Sequence, residues 1–103
     1  MRKHGRVDGN QNYMVDKLRR LGVSVAITSS QGSGFPDIVC GYKGVNLLVE
    51  IKDPDKPPSS RKLTPLEESF KESWRGSYIV ATDFEQVWEW YQASNSTKNQ
   101  TNG

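Results

Sequence analysis

The chain has 103 residues, 34% of them hydrophobic and 25% charged, which describes one globular domain with no room for a second core. One cysteine excludes an internal disulfide and fits a reducing cytoplasm; with a single histidine it also excludes the usual zinc ligand sets, so any metal would be held by oxygen. The net charge of +2 falls short of a dedicated nucleic-acid binder, and no apolar run is long enough to span a membrane.

The chain opens on MRKHGRVDGN, a basic leader over residues 1–8 that lacks the apolar segment of a signal peptide. Arg2, Lys3, Arg6, Lys17, Arg19 and Arg20 crowd the start of the chain against Asp8 and Asp16, a distribution that could meet phosphate or simply face solvent. Asn10 to Leu21 predicts a helix: Met14, Leu18 and Leu21 recur at helical spacing, Asn10 is the N-cap and Gly22 the stop. Val23, Val25 and Ile27 alternate with Ser24 and Ala26, the pattern of a strand. After the turn-rich TSSQGSGFP come two strands, Asp37–Tyr42 and Val45–Lys52, separated by Lys43-Gly44.

DPDKPPSSRK is a proline-punctuated loop. Thr64 then caps a second helix, with Pro65 in its first position and Glu67 completing a capping box. Leu66, Phe70 and Trp74 form its expected buried stripe and Gly76 ends it. Tyr78–Thr82 is a short strand, and Asp83 with Gln86 opens a third helix whose apolar face is Phe84, Val87, Trp88 and Tyr91. Trp90 falls off that stripe, and His4 in the leader carries no role. Residues 94–103, SNSTKNQTNG, are expected to be a disordered polar tail, leaving one domain over residues 1–93. The order α-β-β-β-α-β-α predicts an α/β fold, a mixed sheet flanked by helices with a C-terminal helix.

Chemistry enters through the hairpin. With Lys43-Gly44 as its loop, Tyr42 faces Val45, and counting down the ladder sets Asp37 directly opposite Glu50. Such neighbours have Cβ atoms about 5 Å apart on one face, and Lys52 shares that face. The other face carries Ile38, Cys40, Tyr42, Val45, Leu47, Val49 and Ile51, an uncharged core surface. Two ionised carboxylates at that spacing repel by about 3 kcal/mol. A shared proton, the lysine or a bound cation must offset this, and oxygen ligands of this kind suit Mg²⁺ or Mn²⁺. Taken singly, ExK in a strand and GxPD in a turn are ordinary surface sequences. Their meeting in one register is what points to a site.

Gly34-Phe35-Pro36-Asp37, followed by Glu50-Ile51-Lys52, resembles the PD-(D/E)xK nuclease superfamily, and the wider pattern resembles its virus-type replication–repair branch, the VRR-NUC domains. The helix that opens with NQ and ends in LRRLG is similar too, as is Leu63-Thr64-Pro65-Leu66-Glu67; the likeness spans about Val7 to Tyr91. It implies a restriction-endonuclease-like α-β-β-β-α-β core. It also implies a divalent ion, Mg²⁺ or Mn²⁺, held by Asp37, Glu50 and the Ile51 carbonyl, with Lys52 acting on the attacking water and Gln11 near the site. Many relatives carry a glutamate on the first helix where Asn10 and Gln11 stand here, which puts a second metal in doubt, and many carry glutamine where Glu67 stands.

By the same resemblance, small single-domain members are resolvase-like homodimers acting on four-way DNA junctions, and a phage origin rests on that likeness alone. The implied activity is hydrolysis of DNA phosphodiesters, with branched DNA as partner and no small-molecule cofactor or membrane. Candidate phosphate contacts are Lys17, Arg19, Arg20, Lys56, Arg61 and Lys62. The rival expectations are a non-catalytic module that binds DNA structure and an assembly subunit, each on a nuclease fold.

Overall fold

The computed structural model describes the backbone over residues 7–102 and side chains over 10–95. Arg2, Lys3, His4 and Arg6 of the expected leader lie outside the described residues. The elements are α1 (Val7–Arg20), β1 (Ser24–Ile27), β2 (Ile38–Tyr42), β3 (Val45–Ile51), α2 (Pro65–Ser73), β4 (Tyr78–Ala81) and α3 (Phe84–Asn102), with short 3-10 turns at Ser29–Gln31 and Pro58–Arg61. The predicted order is the observed one.

The strands form one sheet in the order β1-β2-β3-β4. β1, β2 and β3 pair antiparallel as consecutive hairpins, and α2 provides the crossover that brings β4 in parallel to β3. Tyr42 pairs with Val45 and Ile38 with Val49, the register expected from a two-residue loop. Lys43 and Gly44 both have positive φ, 51° and 80°, the type I′ geometry whose twist matches the flanking strands.

One face of the sheet holds the core. Ile38, Cys40, Leu47, Val49 and Ile51 meet Met14, Val15 and Leu18 of α1 and Val87 and Tyr91 of α3. Each such side chain contributes about 1.5–3 kcal/mol on burial. Tyr91 satisfies its hydroxyl by donating to the Val45 carbonyl at 2.9 Å, so it can be buried whole. Trp90 packs against this cluster as a partly buried side chain.

Two local expectations are corrected. α1 begins at Val7, so Asn10 is inside the helix and does not cap it; Leu21 lies beyond the last turn and is exposed. The helix ends in a Schellman closure, with Val23 N–H on the Leu18 carbonyl and Gly22 N–H on that of Arg19, each 3.0 Å; Gly22 has φ +92°. α2 starts as predicted but buries none of its residues: Leu66 is 61% exposed, and Trp74, the cap just past its last turn, is 42% exposed. Its stripe rests on one side only, through Phe70 against Phe35 and Tyr78. The α3 backbone is helical over Phe84–Asn102. Once a helix is nucleated by buried residues, each added residue gains a hydrogen bond without a new nucleation step.

The second face of the sheet is covered unevenly. Beside β1 it is open, a shallow groove of about 280 Å³ lined by Ser24, Ala26, Val39, Gly41 and Asn46. Towards β3 and β4 it passes under α2, where Leu48 and Glu50 are buried. The site lies at that covered end.

Candidate active site

Asp37 sits just before β2, and its backbone is held from both sides. Its N–H donates to the Val49 carbonyl at 3.1 Å, and its carbonyl accepts from Thr28 N–H at 2.8 Å. Thr28 Oγ1 donates to the Pro36 carbonyl at 2.8 Å, pinning the residue before it. The side chain is fixed as well, because Asp37 Oδ2 accepts the Ile51 N–H at 2.8 Å across the ladder. The approach to Asp37 is equally constrained. Gly34 has φ +82°, and a Cβ there would stand 2.3 Å from the Leu66 carbonyl oxygen, so the loop presses directly on the first turn of α2.

Glu50 projects from β3 onto the same face and is only 3% exposed. Its Oε1 is buried with no hydrogen-bond partner. Oε2 lies 3.5 Å from Lys52 Nζ. The lysine's closer partner is Glu67 of α2, whose Oε1 accepts from Nζ at 2.8 Å. That same oxygen accepts the Thr64 N–H at 2.9 Å, while Thr64 Oγ1 accepts the Glu67 N–H at 3.2 Å. The predicted capping box is therefore present, and it ends on the lysine.

The environment separates the protonation states of these groups. Burial, then the proximity of Glu67 and Asp37, pushes the Glu50 carboxyl up to about 9. Burial raises Asp37 too, against the lowering effect of the Ile51 N–H. For Lys52 burial acts downward, but the hydrogen bond and charge of Glu67, then Glu50, outweigh it and hold the ammonium above its usual range. Burial would likewise raise Glu67, but Lys52 and the Thr64 N–H hold it below the ordinary carboxylate range. Without a metal, the site at neutral pH is thus a protonated Glu50 beside a tight Lys52–Glu67 ion pair.

A pocket of about 300 Å³ collects Asp37, Glu50, Ile51, Lys52, Asp53, Lys56, Ser60 and Glu67. Its oxygen donors fit a hard divalent cation: a buried carboxylate oxygen without a partner is costly, and an ion satisfies it. Among the described residues no three or more His, Cys, Asp or Glu side chains form a metal cage. An ion here would therefore take few protein ligands and fill its shell with water, as Mg²⁺ commonly does.

The other predicted site residues divide. Lys56 lines the pocket, and Arg61 and Lys62 follow it in the same loop. Lys17, Arg19 and Arg20 occupy the last turn of α1. There Lys17 lies over the Tyr13 ring, Arg19 donates to the Val25 carbonyl at 2.9 Å, and Arg20 pairs with Asp16 at 3.0 Å. The end of α1 near the site is the opposite one, where Asn10 Nδ2 donates to the Lys52 carbonyl at 3.3 Å. Gln11 is buried, donates to Ser29 Oγ at 3.3 Å and does not line the pocket.

Three residues gain a place that the sequence alone did not assign. Asn10 braces the end of β3, Asp53 is a buried acid at the pocket, and Glu67 reaches Lys52 in addition to capping α2. The Asp53 position follows the ExK triplet immediately, a signal that was available; the direction the chain takes after β3 was not.

No family model matches the chain, and no curated protein matches it. A solved structure described as a "VRR_NUC domain" does match, with 28% sequence identity over 80% of this chain and 89% of that one and a TM-score of 0.58. The chain is similar to that domain in both fold and sequence. The resemblance read from GFPD and EIK is borne out at that level, and the small mixed sheet flanked by helices is the fold of a nuclease-type domain.

Proposed function

We propose that this chain is a Mg²⁺- or Mn²⁺-dependent endodeoxyribonuclease that hydrolyses phosphodiester bonds in branched DNA, with four-way junctions as its substrate and a homodimer as its working form. The observation that carries the reading is the Glu50 carboxylate, buried with an unpartnered oxygen, facing the pocket shared with Asp37 and Lys52. Once Glu50 is ionised that oxygen has no donor to satisfy it, and a cation would.

Asp37, Glu50 and the Ile51 carbonyl would hold the ion. Asp37 already commits one oxygen to Ile51 N–H, which leaves the other for a ligand. When bound, the ion supplies a Lewis acid toward a phosphate oxygen and makes a water molecule more acidic. The remaining work falls to the chain itself. Lys52 carries a permanent positive charge at the pocket, suited to a phosphate oxygen or to orienting the attacking water. Lys56 adds charge at the rim, and Arg61 and Lys62 extend it along the following loop. Lys17, Arg19 and Arg20 belong to a separate surface at the far end of α1, suited to a DNA arm and not to the scissile phosphate.

The reading is tested by incubating the protein in Mg²⁺ with labelled four-way, flapped, nicked and linear DNAs, with Asp37→Asn as control. Four-way junctions are cut by the wild type, and the variant binds them without cutting. Cleavage by Asp37→Asn at the wild-type rate would remove the metal role from Asp37. Absence of cleavage on every substrate would leave only a binding module.

A further inference from the structure

Lys52 stands between two carboxylates and is bound unequally by them. Nζ is 2.8 Å from Glu67 Oε1 and 3.5 Å from Glu50 Oε2. The first is a charge-assisted hydrogen bond and the second is beyond that range. All three side chains are largely out of water, with 12% exposure for Lys52, 18% for Glu67 and 4% for Glu50. The oxygen that holds the lysine is itself held by backbone, since Glu67 Oε1 also accepts the Thr64 N–H. Pro65 fixes the start of α2, and Gly34 packs against the Leu66 carbonyl, so this anchor is set by the fold and not by a loose side chain.

We infer that Glu67 is a positioning residue that draws Lys52 away from Glu50, so that Glu50 stays available to a divalent cation. The inference rests on the metal site proposed above and assigns to this chain's own α2 the task of keeping that site open. A buried ammonium that loses its partner seeks the nearest opposite charge, because an unpaired charge out of water is strongly disfavoured. Here the nearest acid is Glu50, within 1 Å of hydrogen-bonding range, which would release its proton to solvent on pairing with the ammonium. A closed Lys52–Glu50 pair would occupy the oxygens that the ion needs, and every incoming cation would have to displace an ammonium. The positive end of the α2 dipole adds to this, since it disfavours a cation at the helix start unless the Glu67 charge intervenes. Glu67 thus does two things with one oxygen: it completes the cap of α2 and it parks the lysine.

The test is a titration of the full chain with Mn²⁺, followed by the metal's paramagnetic signal and without DNA. It compares wild type, Glu67→Gln, Lys52→Ala and the double variant. Glutamine keeps both bonds of the capping box, so the helix start is preserved while the charge that holds Lys52 is lost. Glu67→Gln weakens Mn²⁺ binding roughly tenfold, the size expected for loss of an outer partner of a metal site. In the Lys52→Ala background the same change has no effect, because no ammonium remains to close onto Glu50. Wild-type affinity in Glu67→Gln would reduce Glu67 to a helix cap and overturn the inference. An equal loss with and without Lys52 would also overturn it, since the Glu67 charge would then act on the ion directly. A wild-type chain that takes up no Mn²⁺, or an Asp37→Asn variant that takes it up undiminished, would instead overturn the underlying metal site and this inference with it.

Discussion

At the scale of single residues, the site is defined by which carboxylates can hold a proton. Glu50 titrates near 9 against 4.5 for an ordinary glutamate, with burial as the leading cause. An acid whose folded pKa lies above its unfolded value binds more protons in the folded state between the two, so stability falls as pH rises through that window. Asp37 is shifted in the same direction. The lowered Glu67 and raised Lys52 contribute constant terms over it, because neither changes charge between about pH 5 and 9. In a chelator-treated sample the melting temperature should therefore fall between pH 6 and pH 9 by at least about 5 °C, each kcal/mol being about 4–8 °C for a domain this size. Glu50→Gln should flatten that slope; a wild-type melting temperature that rises over the same range would contradict the assignment. The meeting of Asp37 and Glu50 was legible in the sequence because a two-residue loop and alternating burial leave only one register. The lysine's attachment to Glu67 was not legible, since it depends on how α2 settles on the sheet. Gln11 is expected near the site from the first helix; which neighbour its amide meets, Ser29 Oγ, depends on the Ser29–Gln31 turn and was not legible.

At the scale of elements, α2 separates what local sequence can specify from what packing decides. Its start follows from Thr64, Pro65 and Glu67, whose bonds are local and close the cap without help from the rest of the chain. Its stripe of Leu66, Phe70 and Trp74 predicted burial, yet the helix leans on the sheet only through Phe70, against Phe35 and Tyr78, and through Glu67 on Lys52, and leaves Leu66 and Trp74 to solvent. Amphipathic spacing states that a face is apolar, not that this chain alone will cover it. Backbones also approach closely, at Gly34 and Leu66. Gly34→Ala should lower stability by more than about 1 kcal/mol, from the positive φ and the blocked approach together. It should also slow cleavage by shifting Asp37 and α2 apart. Unchanged urea unfolding in this variant would mean that α2 can lift without consequence, and would weaken its role as anchor.

At the scale of the whole molecule, the sheet is finished on one face and open on the other. α1 and α3 bury the core face, while the groove beside β1 and the outer side of α2 remain accessible. Among the described residues no helix is long and apolar enough to cross a membrane. With a net charge of only +2, the proposed attachment to DNA would rely on where the basic residues lie more than on their number. The loop of Lys56, Arg61 and Lys62 and the last turn of α1 are separate patches, and two copies would double both. Sedimentation at micromolar concentration should accordingly give the mass of a dimer, alone or with junction DNA. A strict monomer under both conditions would remove the paired-site version of the proposal and leave a nuclease that cuts one strand at a time.

The turn at Lys43-Gly44 has a bearing on how such a chain can change over generations. Sliding the pairing by one residue would drive Ile38, Cys40, Leu47, Val49 and Ile51 out of the core together, a loss on the order of 10 kcal/mol. Distorting a surface turn is far milder, about 1–3 kcal/mol. An extra glycine inserted after Gly44 should therefore swell the tip and leave the ladder below it untouched. The proposed metal uptake and cutting would survive, and the melting temperature would drop only modestly. Lineages of this protein should then tolerate length variation at that tip while the acids stay aligned, insured by oily residues on the far side of the sheet.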